Sequence, residues 1–260
     1  MKLKHIALVV LACAAFGYTS CKKSSSSQSV DSKTVTSQIA LNLSQTLYSG
    51  FGGFNISSGL SAPGTFGLDR NALKLKLTNG RTSISSLDGD ITCGLHVDTT
   101  FSTSIDMDGG QATVAGSIGF TFNCANQVFS GFNVTDNLKI TAATAQLNGT
   151  FTVAENLTLA QATPGVDTSS VSLNGTANFA ENAKVSGKST VMSFNYTFNN
   201  VIINQMGTIV SGSANFTTTS SGAQGTWNYT GTITFLGNDS AKVVINGATY
   251  TVNLQSGTVS

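Results

Sequence analysis

Residues Ile91 to Cys124, ITCGLHVDTTFSTSIDMDGGQATVAGSIGFTFNC, decide the fold. Up to Met107 the odd positions are nearly all apolar: Ile91, Cys93, Leu95, Val97, Phe101, Ile105 and Met107, with Thr99 and Thr103 among them. His96, Asp98, Thr100, Ser102, Ser104 and Asp106 between them are polar. Period-two alternation is the pattern of a strand with one buried face. After Asp108-Gly109 the apolar set moves to even positions, Ala112, Val114, Ile118, Phe120, Phe122 and Cys124, with Gly116 in the same row. Asp-Gly favours a two-residue type I′ loop, which pairs residues whose numbers sum to 217. Met107 then faces Gly110, Val97 faces Phe120, Leu95 faces Phe122 and Cys93 faces Cys124. Apolar meets apolar on one face, so a long hairpin is expected.

The same matching of faces separates turns from strands elsewhere. Ala72 to Thr78 alternates, and Asn79-Gly80 would set Leu75 opposite Ile84. Asn246-Gly247 pairs Val243 with Tyr250 and Ala241 with Val252, which predicts a second hairpin. A turn at Asn148-Gly149 would instead set Phe151 against Gln146. Read straight through, Ala145, Leu147, Gly149, Phe151 and Val153 share a face, and around Asn174-Gly175 so do Val171, Leu173, Gly175, Ala177 and Phe179. These glycines belong inside strands. With Gly116, Gly212 and Gly231 they form a recurring unit: apolar, any, Gly, Ser or Thr, apolar, any, Phe or Val. Its members start at Val114, Leu147, Leu173, Val210 and Tyr229, a spacing too uneven for a solenoid. A mid-strand glycine weakens a strand unless the sheet bends there or a bulky neighbour covers it. Met192, Phe194, Tyr196 and Phe198 give another strand, with Asn199-Asn200 read as a turn into Val201 and Ile203.

Val35, Ile39, Leu43 and Leu47 recur every four residues and, with Ala40, make one apolar helical stripe over about 34–48, which Asp31 or Ser32 would cap. The expected class is therefore all-β: an antiparallel meander of roughly ten to twelve strands. It would form a β-sandwich or a strongly curved half-barrel to barrel, with one N-terminal helix on the sheet or over its open end.

The N-terminus reads as an export signal. Lys2, Lys4 and His5 precede an apolar run from Ile6 to Phe16, too short to span a bilayer. Ser20-Cys21 follows, resembling a bacterial lipoprotein signal, in which the cysteine becomes the lipid-bearing first residue. Cys13 is a rival site, but cutting there leaves a short core and an apolar stub. An ordinary cleaved signal with an incidental cysteine is the plain alternative. The expected organisation is a signal over 1–20, a Ser-rich tether over 21–33 and one β domain over 34–260. Of the 13 Lys and Arg, Lys2 and Lys4 leave with the signal, so 11 face 12 acidic residues and the mature charge is near −1. That argues against electrostatic binding of nucleic acid.

With Cys13 in the signal and Cys21 at the anchor, Cys93 and Cys124 remain. In an oxidising compartment they are expected to form a disulfide, stabilising by roughly 3–4 kcal/mol in the chain-entropy model. The 217 register makes them a hydrogen-bonded pair, whose wide spacing suits a bridge less well unless a bulge shifts it. No catalytic, cofactor or metal residues are assigned. His96, the one histidine of the mature chain, falls on the polar face, where no nucleophile and orienting acid can be placed around it. Glu155 and Glu181 each lie beside an asparagine near a strand end. Asp88-Gly89-Asp90 and Asp106-Met107-Asp108-Gly109 lack the full calcium-loop spacing. Trp227 shares a face with Tyr229, Ile233 and Phe235, a core position. No enzymatic activity is expected.

Ser20-Cys21-Lys22-Lys23, the Ser/Thr/Asn/Gly-rich strands, and Cys93-Gly94 with Asp98-Thr99-Thr100 and the later Cys124 resemble uncharacterised lipoproteins of the Bacteroidota. The resemblance implies an envelope-attached β domain, membrane-bound through the lipid at Cys21, at the outer membrane with its periplasmic or surface face open. It also implies O-linked glycans at Asp-(Ser/Thr) triplets, which match at Thr99 and Ser240. Two functions follow. One is a lipid-anchored structural or binding module, adhesin-like or glycan- or protein-contacting. The other is a periplasmic carrier of a lipid or other apolar ligand in a curved-sheet cavity. A membrane-embedded barrel fits less well, because five Tyr and one Trp cannot furnish aromatic girdles. The oligomeric state is open.

Overall fold

The computed structural model describes residues 30–48 and 94–260, except 108, 127, 164–166, 205 and 223–224. Cys21, Cys93, the Asn79-Gly80 hairpin and Asp88-Gly89-Asp90 lie outside the described residues.

Among the described residues a helix, α1 (Ser32–Tyr48), precedes ten strands. They are β1 (His96–Met107), β2 (Gly110–Ala125), β3 (Val128–Thr144), β4 (Leu147–Thr163), β5 (Asp167–Val185), β6 (Lys188–Asn204), β7 (Ile209–Gly222), β8 (Trp227–Gly237), β9 (Ser240–Ile245) and β10 (Ala248–Asn253). They form one antiparallel sheet in chain order, β1 through β10. Among the described strands the sheet does not close: β1 and β10 end it on opposite sides. Of the architectures the alternation allows, the structure is the open one, a single sheet with its apolar face under a helix.

Turn chemistry set the registers. β1 and β2 pair from Met107 with Gly110 to His96 with Thr121, the 217 register throughout. β9 and β10 pair Val243 with Tyr250 and Ala241 with Val252 across Asn246-Gly247, both of positive φ as a type I′ turn requires. Asn148-Gly149 and Asn174-Gly175 run inside β4 and β5.

Asn199-Asn200 is not a turn. β6 continues through it, and its register to β7 slips between Asn199 and Ile202. Asn200 takes a φ of 48°, and its N–H donates to the Asn174 side-chain oxygen at 2.8 Å. This bulge moves the buried row from even positions (Phe194, Tyr196, Phe198) to odd ones (Val201, Ile203). Its partner strand adjusts likewise, burying Ile209 and leaving Val210 47% exposed, so Val210 is not the inward start of its glycine unit.

Four of the five mid-strand glycines have a cross-strand phenylalanine directly opposite: Gly116 with Phe101, Gly175 with Phe198, Gly212 with Phe235 and Gly231 with Phe216. A Cβ on Gly231 would stand 2.6 Å from the Phe216 ring, so that ring already lies over the glycine. The glycine supplies the space and the ring supplies the apolar cover. Gly149 is the exception, flanked by Ala142 and Ala183.

Asp31 caps α1: the Thr34 N–H and hydroxyl each donate to its carboxylate at 2.9 Å. These bonds hold the Asp31 carboxyl below its ordinary range. The stripe of Val35, Ile39, Ala40, Leu43 and Leu47 is fully buried on the sheet. Tyrosines fix the helix across several strands. Tyr229 of β8 donates to the Val30 carbonyl at 2.9 Å, Tyr250 of β10 meets Ser32, and Tyr48 donates to Asp239 in the β8–β9 turn. Trp227 is core, its ring N–H donating to Thr218 Oγ1 at 3.1 Å.

Candidate functional site

The inner face carries buried acids whose burial and pairing sequence inspection missed. Asp136 of β3 and Glu155 of β4 are direct cross-strand neighbours, 1% and 4% exposed. Both are engaged in polar interactions. They form a seam between two apolar clusters: Val134 and Leu157 belong to the larger, Leu138 and Val153 to the smaller. Glu181 of β5 is also inward and buried, between Phe151 of β4 and Met192 of β6. Burial pushes its carboxyl up to about 7. The reading of Glu155 as a strand-end residue is therefore corrected, while Glu181 stands four residues before the end of β5. Glu155 lies in the middle of β4, and Glu181 follows the inward parity of Ala177 and Phe179. The alternation already quoted would have placed both inward had it been carried two residues further. Glu155 faces Ala177, four residues before Glu181 along β5, about 13 Å at the strand rise. The two glutamates thus do not form a glycosidase pair, and no group of three metal-binding side chains occurs among the described residues.

His96 is better surrounded than expected. Its Nε2 meets Asp98 at 2.5 Å and its Nδ1 meets Thr121 Oγ1 at 2.7 Å, an acid, imidazole and hydroxyl in line. Gly119, directly opposite Asp98, leaves room for that carboxylate. The imidazole and carboxylate are 55% and 68% exposed on the outer face. Acyl transfer would further need donors aimed at a developing oxyanion.

The outer face of β6–β8 carries a regular polar surface. Three cross-strand rows run Ser193–Thr219–Asn228, Asn195–Thr217–Thr230 and Thr197–Asn215–Thr232. Ser193 is half-buried and the other eight positions are exposed. Ser193 and Thr219 hydroxyls meet at 2.8 Å, and the Asn195 amide donates to Thr217 at 3.2 Å. Neighbours are spaced about 4.8 Å across strands and about 7 Å along them. The grid offers uncharged donors and acceptors and carries no ionisable side chain.

Comparison with protein-family models, with curated proteins and with solved structures finds no match to this chain. The site must be read from its own chemistry.

The remaining expected residues are placed as follows. Thr99 lies in β1, its backbone opposite Ile118. Ser240 opens β9, half-buried, and the Asp239 before it accepts hydrogen bonds from Tyr48 and Gln255. That triplet is part of the α1 anchorage. Cys124 is half-buried near the end of β2, one residue past a register slip against β3. The β1–β2 register also breaks at this end. Gly94, at φ 77°, donates its N–H to the Phe122 carbonyl at 3.0 Å, while the Phe122 N–H donates to the Leu95 carbonyl at 2.9 Å. This is a G1 bulge, with Gly94 and Leu95 both opposite Phe122. The 217 register therefore does not extend past Leu95, and Cys93 itself lies outside the described residues. No helix among the described residues is long and apolar enough to cross a membrane.

Proposed function

We propose that this chain is a lipid-anchored module of the cell envelope that contacts a polyhydroxylated partner, a glycan, through the outer face of β6–β8. The observation that carries this reading is the three-by-three grid of hydroxyl and amide side chains. Uncharged groups at fixed spacing suit a ligand that presents many hydroxyls and little charge. The inner face supports the carrier alternative less. Tyr196, Phe120, Phe132, Phe194 and Phe198 fill it, each no more than 2% exposed, and α1 is packed in the same cluster. In this reading the module does no chemistry, and the Asp98–His96–Thr121 line ties the β1 side chains to β2 through hydrogen bonds.

The test uses the paired change Thr217→Val with Thr230→Val, which removes two hydroxyls and keeps β-branched shape. Binding of the full chain to immobilised envelope polysaccharides is expected to weaken by about tenfold or more, with the melting temperature unchanged. Polysaccharide binding that ignores both substitutions, or no binding at all, would overturn the glycan reading.

The anchor belongs to the same proposal: Cys21 carries lipid, and Cys93 and Cys124 form a disulfide. The bulge at Gly94 is consistent with the bridge, because it breaks the wide hydrogen-bonded pairing the simple register would impose. Intact-mass measurement of the membrane-purified protein should find a chain beginning at lipid-modified Cys21 and lighter by two hydrogens than its reduced form. A chain beginning elsewhere, or two alkylatable thiols without reductant, would contradict it.

A further inference from the structure

Among the described residues the two edges of the sheet are treated differently. At the β10 edge the chain's own C-terminus adds cover: Thr251 and Ser260 exchange backbone bonds of 3.1 and 2.9 Å, Asn253 donates to Thr258 at 2.9 Å, and Val252 bridges Val259. At the other edge β1 pairs, among the described residues, with β2 alone. β1 is 12 residues long and carries no proline, no lysine and no bulge, the devices that normally blunt an edge. Phe101, Ile105 and Met107 on its inner face are only half-buried, whereas β2 buries Val114, Ile118, Phe120 and Phe122.

The strand's own sequence names its complement. The Phe122 N–H bonds to Leu95, so odd residues of β1 aim their backbone groups at β2. Even residues from His96 to Asp106 then aim theirs outward. If a second copy pairs antiparallel about Phe101, residue numbers sum to 202. His96 falls opposite Asp106, Asp98 opposite Ser104, and Thr100 opposite Ser102. All six outward-aimed residues then exchange backbone bonds. On the inner face Leu95 meets Met107 and Phe101 meets its own copy, so half-buried apolar positions meet one another. Slipping the pairing by two residues, to a sum of 204, sets Asp98 against Asp106 twice over. Like charges directly opposite are destabilising, which disfavours that slip, while the opposite slip, to a sum of 200, sets His96 against Ser104 and loses its pairing with Asp106. An odd sum would put polar positions against apolar ones.

We infer that β1 is a homodimerisation edge, joining two copies antiparallel about Phe101 into one continuous sheet. This is independent of what the outer grid binds.

Sedimentation of the purified full chain over a roughly hundredfold concentration range tests it. A dimer is expected. Ser102→Pro removes an outward-aimed N–H that β2 does not use, and should weaken the dimer by about tenfold or more. His96→Asp places two carboxylates face to face and should also weaken it. Adding Asp106→His to that variant exchanges the two side chains and should restore association. If Ser102→Pro loses the β circular-dichroism signal, the exchange pair decides alone. A monomer at every concentration, or a folded dimer indifferent to these changes, would overturn the inference.

Discussion

Gly231→Ala is expected to lower stability by about 3 kcal/mol, one of the largest effects of any single-carbon change in this sheet. A Cβ at this position would enter the space of the Val244 carbonyl oxygen on one side. On the other it would lie 2.6 and 2.7 Å from ring carbons of Phe216. The site is pinned between β7 and β9, with Gly231 paired to Phe216 and to Ile245, so the strand cannot shift without breaking two ladders. Phe216 is 3% exposed and cannot swing into solvent. For a chain of this size the loss corresponds to a fall in melting temperature of about 10 °C. Thermal unfolding of the variant measures it. In a Phe216→Leu background the added cost of Gly231→Ala should shrink without vanishing, because the ring is relieved and the carbonyl is not. An alanine variant that melts within about 2 °C of the parent would show that the ring does not cover the glycine.

Glu181 should make stability depend on pH in a direction opposite to that of a salt-bridged carboxylate. Burial between Phe151 and Met192 raises its folded pKa from 4.5 to about 7. In the unfolded chain it ionises near its ordinary value, so between about pH 4.5 and 7 the folded state holds more protons. Its stabilising contribution is complete below about pH 4.5 and is lost as pH rises to about 7. The raised pKa corresponds to a loss of about 3 kcal/mol across that window. Glu181→Gln keeps the shape and removes the titration. Relative to the parent, the variant should therefore gain about 3 kcal/mol more at pH 8 than at pH 4.5. Comparing the two pH values cancels the amide's own burial cost. Denaturant unfolding at both values reads the difference, and an equal effect at the two would show that Glu181 is not buried as a carboxylic acid.

The buried acids illustrate how far residue order can be read. Asp136, Glu155 and Glu181 all obey the parity of their apolar neighbours, Val134 and Leu138, Val153 and Leu157, Phe179 and Ala183. Their inward direction was written in the alternation. Their pairing was not: whether an acid on one strand meets an acid on the next depends on inter-strand register, fixed by the β3–β4 turn at Ala145-Gln146. The polar grid divides in the same way. Alternation makes each outer residue polar, and only the registers of β6, β7 and β8 align three such residues into rows. The His96 constellation was within reach: the 217 register already sets Thr121 opposite His96 and Gly119 opposite Asp98, and only the side-chain contacts to the imidazole awaited the structure.

Local chemistry alone determined the strands, the helix and its Asp31 cap, the hairpins at Asp108-Gly109 and Asn246-Gly247, and the passage of β4 and β5 through their Asn-Gly pairs. Each of these depends on side chains within a few residues, or on a two-residue loop that admits one register. Tertiary structure decided the rest. The bulge at Asn200 inverts the buried parity of β6 because a neighbouring strand supplies the Asn174 oxygen that holds it. The bulge at Gly94 breaks the register before Cys93 because Phe122 accepts from Gly94 while donating to Leu95. Among the described strands the sheet stays open because its two end strands do not meet, a property of accumulated twist over ten strands that no single strand encodes. One of those ends is covered by the chain's own C-terminus, and the other, β1, keeps its outward N–H and C=O groups aimed away from β2.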